Sequence, residues 1–141
     1  MLAWPGLFVV FGASAALKPT PGMLGYGLGK VGAHHFVQTL GQITGKAVST
    51  KSKREVSRRL RKHGEYLDTM SVIGILPTVL DTPSNRDAMP NADFKRWTKP
   101  KDIAIEIGTW MKTPPLRPHS GSLVRVVPSA DGNSSTFQLV R

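Results

Sequence analysis

Two short apolar runs set the terms for this chain. Leu7-Phe8-Val9-Val10-Phe11 and Val72-Ile73-Gly74-Ile75-Leu76 contain no alternating polar residue. They are rich in β-branched and aromatic side chains and are bounded by Gly12 and Pro77. Such runs predict strands buried on both faces, which is the condition of a parallel sheet. Parallel neighbours cannot be joined by a tight hairpin and need a crossover, usually helical. The residues between the runs supply one. Leu24, Leu28 and Val31 repeat at spacings of four and three, and Phe36, Val37 and Leu40 continue the apolar face, predicting a helix over about 24–41.

The rest of the chain continues the alternation. Lys18 to Gly22 is turn-rich, Pro83 to Pro90 reads as a loop, and Asp93 to Trp97 as a short turn of helix. Pro100 to Lys112 reads as a helix with Ile103, Ile107 and Trp110 on one stripe. Thr113 to Pro118 is a proline-rich connector, Ser122 to Val127 a third strand, and the remainder a polar tail. The fold class is therefore α/β, three parallel strands with flanking helices. A doubly wound nucleotide-binding sheet has about six strands in two halves. Three strands in 141 residues read as part of such a fold, residues 1–141 forming one partial domain.

Composition removes several functions. There is no cysteine, hence no disulfide framework, thiolate metal site or cysteine nucleophile, and the four histidines have no zinc-ligand spacing. No metal is expected. Met1 to Leu17 is uncharged but lacks a basic n-region and is interrupted by Pro, Gly and Ser. It fits neither a secretory signal nor a membrane span, and a cytoplasmic location is expected. The net charge of +10 is local: Lys46 to Lys62 holds eight bases and one acid, Glu55. The other residues carry 11 bases and 8 acids. One segment makes the protein basic.

Two glycine-rich motifs overlap. Gly27-x-Gly29-x-x-Gly32 formally matches a dinucleotide fingerprint. That fingerprint must follow a strand directly and precede an acid by about 20 residues. Here the nearest strand ends at Gly12 and the first acid is Glu55. Tyr26-x-x-x-Lys30 is the sharper motif, because an i, i+4 spacing puts phenol and ammonium on one helical face. A cation within about 4–6 Å favours the phenolate, which makes a tuned acid. By pattern alone an ordinary exposed pair is the alternative. The context favours chemistry, since ligands of open α/β sheets bind beyond the carboxyl ends of strands.

A strand, a Tyr-x-x-x-Lys helix, and a strand running into Pro77-Thr78-Val79-Leu80-Asp81-Thr82 is similar to the C-terminal half of short-chain dehydrogenases/reductases. More narrowly, Thr20-Pro-Gly-Met-Leu-Gly-Tyr-Gly-Leu-Gly-Lys30, Leu76-Pro-Thr-Val-Leu-Asp-Thr-Pro-Ser-Asn-Arg86, Met89-Pro-Asn-Ala-Asp-Phe94 and Ser120-Gly-Ser-Leu-Val124 resemble the quinoid dihydropteridine reductase family. The resemblance implies the C-terminal part of a Rossmann-like doubly wound parallel sheet, with the N-terminal nucleotide-binding half absent. It implies an oxidoreductase that takes hydride from NADH or NADPH and returns quinonoid dihydrobiopterin to tetrahydrobiopterin. Tyr26 matches the proton-donating tyrosine. Lys30 matches the lysine that holds the nicotinamide ribose and depresses the tyrosine pKa. Pro77, Thr78, Leu80 and Thr82 match the loop that meets the cofactor's carboxamide and phosphates. A homodimer through the Tyr26/Lys30 helix is implied as well.

The chain departs from the pattern in places. The superfamily's catalytic serine position is Ala13 here, with Ser14 adjacent, and Thr78 replaces a superfamily glycine. Loss of that serine is a feature of dihydropteridine reductases. The glycine-rich pyrophosphate turn and the acid that selects the adenosine ribose have no counterpart, so weak or no cofactor binding and a truncated, impaired activity are expected. The choice between NADH and NADPH stays open. The basic residues fall in an insertion at about 45–66, read as a solvated excursion. A nucleic-acid or other polyanion patch over 46–62 is its alternative. His34 and His35 are read as surface or partner-helix residues, and Trp97 and Trp110 as core or substrate-loop aromatics. A noncatalytic truncated relative, a dimer partner or polyanion binder, is the competing function.

Overall fold

The computed structural model describes residues 6–44 and 70–140. The basic insertion at 45–66 lies outside them. Strand β1 (Leu7–Phe11) is followed by a 3₁₀ turn (Ser14–Leu17) and helix α1 (Leu24–Ile43). Strand β2 (Ser71–Pro77) leads into a short helix α2 (Pro83–Ala88), a 3₁₀ turn (Phe94–Arg96) and helix α3 (Pro100–Lys112). Strands β3 (Leu123–Pro128) and β4 (Ser135–Leu139) close the sequence of elements. The sheet order is β1-β2-β3-β4. The first three strands are parallel, with Phe8 opposite Val72 and Gly74 opposite Leu123.

The sheet is covered on both faces, as the two apolar runs require. One face buries Ile73, Ile75, Val124 and Val126 against Ile103 and Trp110 of α3. The other buries Val72, Leu76 and Leu123 against Val37 of α1. Gly74 sits under α1, where an added Cβ would lie 2.7 Å from Leu123 Cδ2. Further along α1, Gly41 meets the backbone of Gly121, whose φ of 89° needs glycine. The same turn is stitched to β2: Gly121 N–H donates to Val72 O at 2.7 Å, and Val72 N–H donates to Ser120 Oγ at 2.9 Å.

Two expectations are corrected. The sheet has four strands rather than three, since the polar tail folds back as β4, antiparallel to β3. Ser135-Thr136-Phe137-Gln138-Leu139 alternates with period two, and Phe137 packs edge-on to Trp110 at 6.3 Å. Asp131-Gly132 makes the turn, with Gly132 at φ 68° and Ser129 N–H donating to Ser134 O. Pro83 to Pro90 is also not wholly loop, because Thr82 and Pro83 together start α2. The Thr82 hydroxyl accepts from Asn85 N–H, and Pro83 occupies the first turn, where its missing donor is harmless.

Among the described residues, no helix is long and apolar enough to cross a membrane. No group of three or more His, Asp or Glu is arranged to hold a metal there.

Candidate functional site

The parallel strands β1 and β2 end side by side, so the loops after them leave from one edge of the sheet. The β1 exit is fixed first. Gly12 N–H donates to Ile75 O at 2.9 Å, and the Ser14 hydroxyl donates to Leu76 O at 2.7 Å. Helix α1 then crosses this exit, with Tyr26, Lys30 and His34 at successive i, i+4 positions. Lys30 Nζ donates to Phe11 O at 3.2 Å and stands 5.8 Å from the Tyr26 ring centroid. Tyr26 is 46% exposed, so the phenol is open to a ligand while its neighbour is tethered.

His34 corrects the surface reading given above. It is buried, and its Nε2 accepts the Ala13 N–H at 3.2 Å. Burial, and secondly the Lys30 charge, hold its pKa below the usual imidazole value. The signal was present in the sequence as a third residue on the Tyr26/Lys30 ridge. Its neighbour His35 is exposed, as read.

The loop after β2 is pinned rather than open. Pro77 ends the strand buried, and the Thr78 hydroxyl lies 3.0 Å from the Thr98 hydroxyl, which donates to Val126 O. Thr98, fully buried, is a residue the sequence reading missed. Leu80 bridges to Thr98 and packs its side chain on the α3-facing core. Its carbonyl accepts from Asn85 Nδ2 at 2.8 Å and from Thr82 N–H at 3.0 Å. Thr82 caps α2. Arg86 donates two hydrogen bonds to Asp81 and lies over the Phe94 ring at 4.6 Å. Those bonds draw the Asp81 pKa below the ordinary carboxylate range and raise that of Arg86. Trp97 is buried against Phe94, a core position rather than a free lid aromatic.

The structure thus brings Tyr26 and Lys30 together at the β1 exit. Pro77, Thr78, Leu80 and Thr82 leave the adjoining strand end, with the Thr78 and Thr82 hydroxyls engaged in internal bonds. An open groove of about 710 Å³ runs between residues 16–21 and the Leu24, Gly27, Leu28 and Val31 side of α1. Tyr26 and Lys30 do not line it. Thr20 packs so closely on Gly27 that a Cβ there would reach its hydroxyl.

No family model matches the chain. It is similar to a dihydropteridine reductase of Dictyostelium discoideum, 36% identical over 120 residues and 85% of this chain. The match takes in 44% of that protein, so the chain spans less than half its length. The resemblance drawn from the motifs thus holds along most of the sequence.

Proposed function

We propose that this chain forms the nicotinamide- and pterin-facing part of a dihydropteridine reductase, an enzyme reducing quinonoid dihydrobiopterin to tetrahydrobiopterin with NADH or NADPH. The observation that carries the reading is the Tyr26–Lys30 pair at the carboxyl end of β1, within a chain 36% identical to a dihydropteridine reductase. The donor set fits a nicotinamide nucleotide. An ammonium has three N–H donors, and the Phe11 carbonyl accepts one of them, which suits the others to a ribose diol. When bound, that cofactor supplies the hydride.

The remaining chemistry belongs to the chain. The exposed Tyr26 hydroxyl donates the proton that completes reduction of the pterin ring. Lys30, tethered to Phe11 O, holds its remaining N–H donors toward the side of α1 that carries Tyr26. Ser14 does not replace the serine that Ala13 lacks, because its hydroxyl proton is given to the Leu76 carbonyl. A quinonoid pterin is electron-poor and needs less support for developing negative charge than a ketone. Pro77 and Thr78 border the cofactor through their backbone, and Leu80 and Thr82 act by shaping the loop that flanks it. The exposed Leu24 and Leu28, which border the groove beside residues 16–21, support a homodimer through that helix. The reaction is assigned to the cytoplasm.

NADH quenching of the tryptophan emission tests the assignment. Tyr26→Phe and Lys30→Ala are expected to weaken or abolish it, and unchanged quenching in both variants refutes the site.

A further inference from the structure

We propose that His34 is a positioning residue for the reaction assigned to Tyr26 and Lys30: its Nε2 fixes the chain leaving β1, and thereby the Phe11 carbonyl that seats the Lys30 ammonium. The consequence for turnover rests on the reductase reading, whereas the fixture itself rests on geometry.

The β1–β2 ladder ends where Gly12 N–H donates to Ile75 O. The next donor along the chain, Ala13 N–H, is taken by His34 Nε2, and the carbonyl two residues earlier, Phe11 O, is taken by Lys30 Nζ. Consecutive turns of α1 therefore grip two backbone groups of one exit, the amide through a ring nitrogen and the carbonyl through a cation. An Nε2 that accepts must be bare, so the ring is neutral with its proton on Nδ1. Space is committed to this arrangement: a Cβ on Gly12 would stand 2.4 Å from Nε2 and 2.5 Å from Cδ2. Ala13 and His34 are 5% and 6% exposed, so water has little access to the amide if the ring is lost. An unsatisfied Ala13 N–H can find a new partner by rotation of the 11–13 backbone. That rotation carries Phe11 O away from Lys30 Nζ and unseats the ammonium beside Tyr26.

The test uses the full chain with His34→Leu, which fills the site without an acceptor, and His34→Gln, which offers an acceptor oxygen. Three quantities are measured: the His34 tautomer by long-range ¹⁵N–¹H correlation, Ala13 amide exchange, and NADH oxidation with a quinonoid dihydropterin. We expect a bare Nε2 in the parent chain. A bond worth about 1 kcal/mol predicts exchange at Ala13 roughly five- to tenfold faster in His34→Leu, with kcat reduced in step, and recovery of both in His34→Gln. A proton on Nε2, exchange indifferent to both substitutions, or a kcat loss that Gln fails to restore while Ala13 is protected again overturns the proposal. A parent chain that oxidises no NADH shows the impaired activity expected of a chain under half the length of its relative, and the tautomer and Ala13 exchange then decide the fixture alone: release of Ala13 in His34→Leu sustains it, and indifferent exchange overturns it. If His34→Leu does not fold, the parent tautomer and the His34→Gln chain decide.

Discussion

Alanine at Gly41 should destabilise this protein while alanine at Gly29, twelve residues earlier on the same helix, should stabilise it. An ideal Cβ on Gly41 lies 2.1 Å from Gly121 Cα and 2.5 Å from Gly121 N, both backbone atoms that no rotamer change can remove. Ordinary carbon contacts lie at about 3.5–4.0 Å, so α1 or the Ser120–Gly121 turn must retreat by roughly 1.5 Å. That displacement takes the Gly121–Val72 and Val72–Ser120 hydrogen bonds out of range. Two such bonds are worth about 1 kcal/mol each, and loosening the packing around Val37 and Leu123 adds about 1–3 kcal/mol. Replacing a helical glycine returns about 1 kcal/mol, leaving Gly41→Ala less stable by about 2–4 kcal/mol. Nothing lies within 4 Å of a Cβ on Gly29, so Gly29→Ala should gain about 0.5–1 kcal/mol. Urea unfolding followed by tryptophan emission, to which the buried Trp97 and Trp110 contribute, reads both changes. A Gly41→Ala chain as stable as its parent would refute the close approach of α1 to the turn.

Other outcomes follow from the same contacts. The folded-state pKa of His34 is lowered from 6.5, so its contribution to stability is present above pH 6.5 and is lost as pH falls through the lower folded value. The urea midpoint should drop on acidification through that window, and less steeply in His34→Gln; equal slopes would remove the assignment. Arg86→Lys keeps the charge but loses the paired N–H fork and the stacking on Phe94, so limited proteolysis within residues 83–96 should quicken with little change in unfolding midpoint. Unchanged cleavage would show that the clamp does not order the loop. Tyr26→Phe should lower kcat for quinonoid dihydropterin by about 10²–10⁴, and retention of the parent rate would end the proton-donor role.

What the sequence disclosed tracked how local the governing physics is. The buried strands and α3 were legible because an uninterrupted apolar run, or an apolar stripe opened by Pro100, has few competing readings. β4 was missed because Ser135, Thr136 and Gln138 outweigh Phe137 in composition, although alternation and the Asp131-Gly132 turn were both there. The helical start at Thr82-Pro83 was hidden behind a proline-rich look that the cap converts into a first turn. In the candidate site, Tyr26 and Lys30 were found by spacing. The burial of His34 was not, because it depends on Ala13, a partner 21 residues away that only the crossover brings near. Thr98 was invisible for the same reason: its partners lie on β3 and in the loop after β2, and an isolated threonine carries no sign of either.

That threonine has a mechanical consequence. Thr98 N–H donates to Val79 O, its carbonyl accepts from Asp81 N–H, and its hydroxyl meets both Thr78 and Val126. The excursion from Asp81 to Trp97 therefore leaves and re-enters the domain through one knotted neck, like a lasso drawn tight at its base. The root of the excursion is thus tied to β3 and to the loop after β2, while α2 and the Phe94 turn lie beyond those ties.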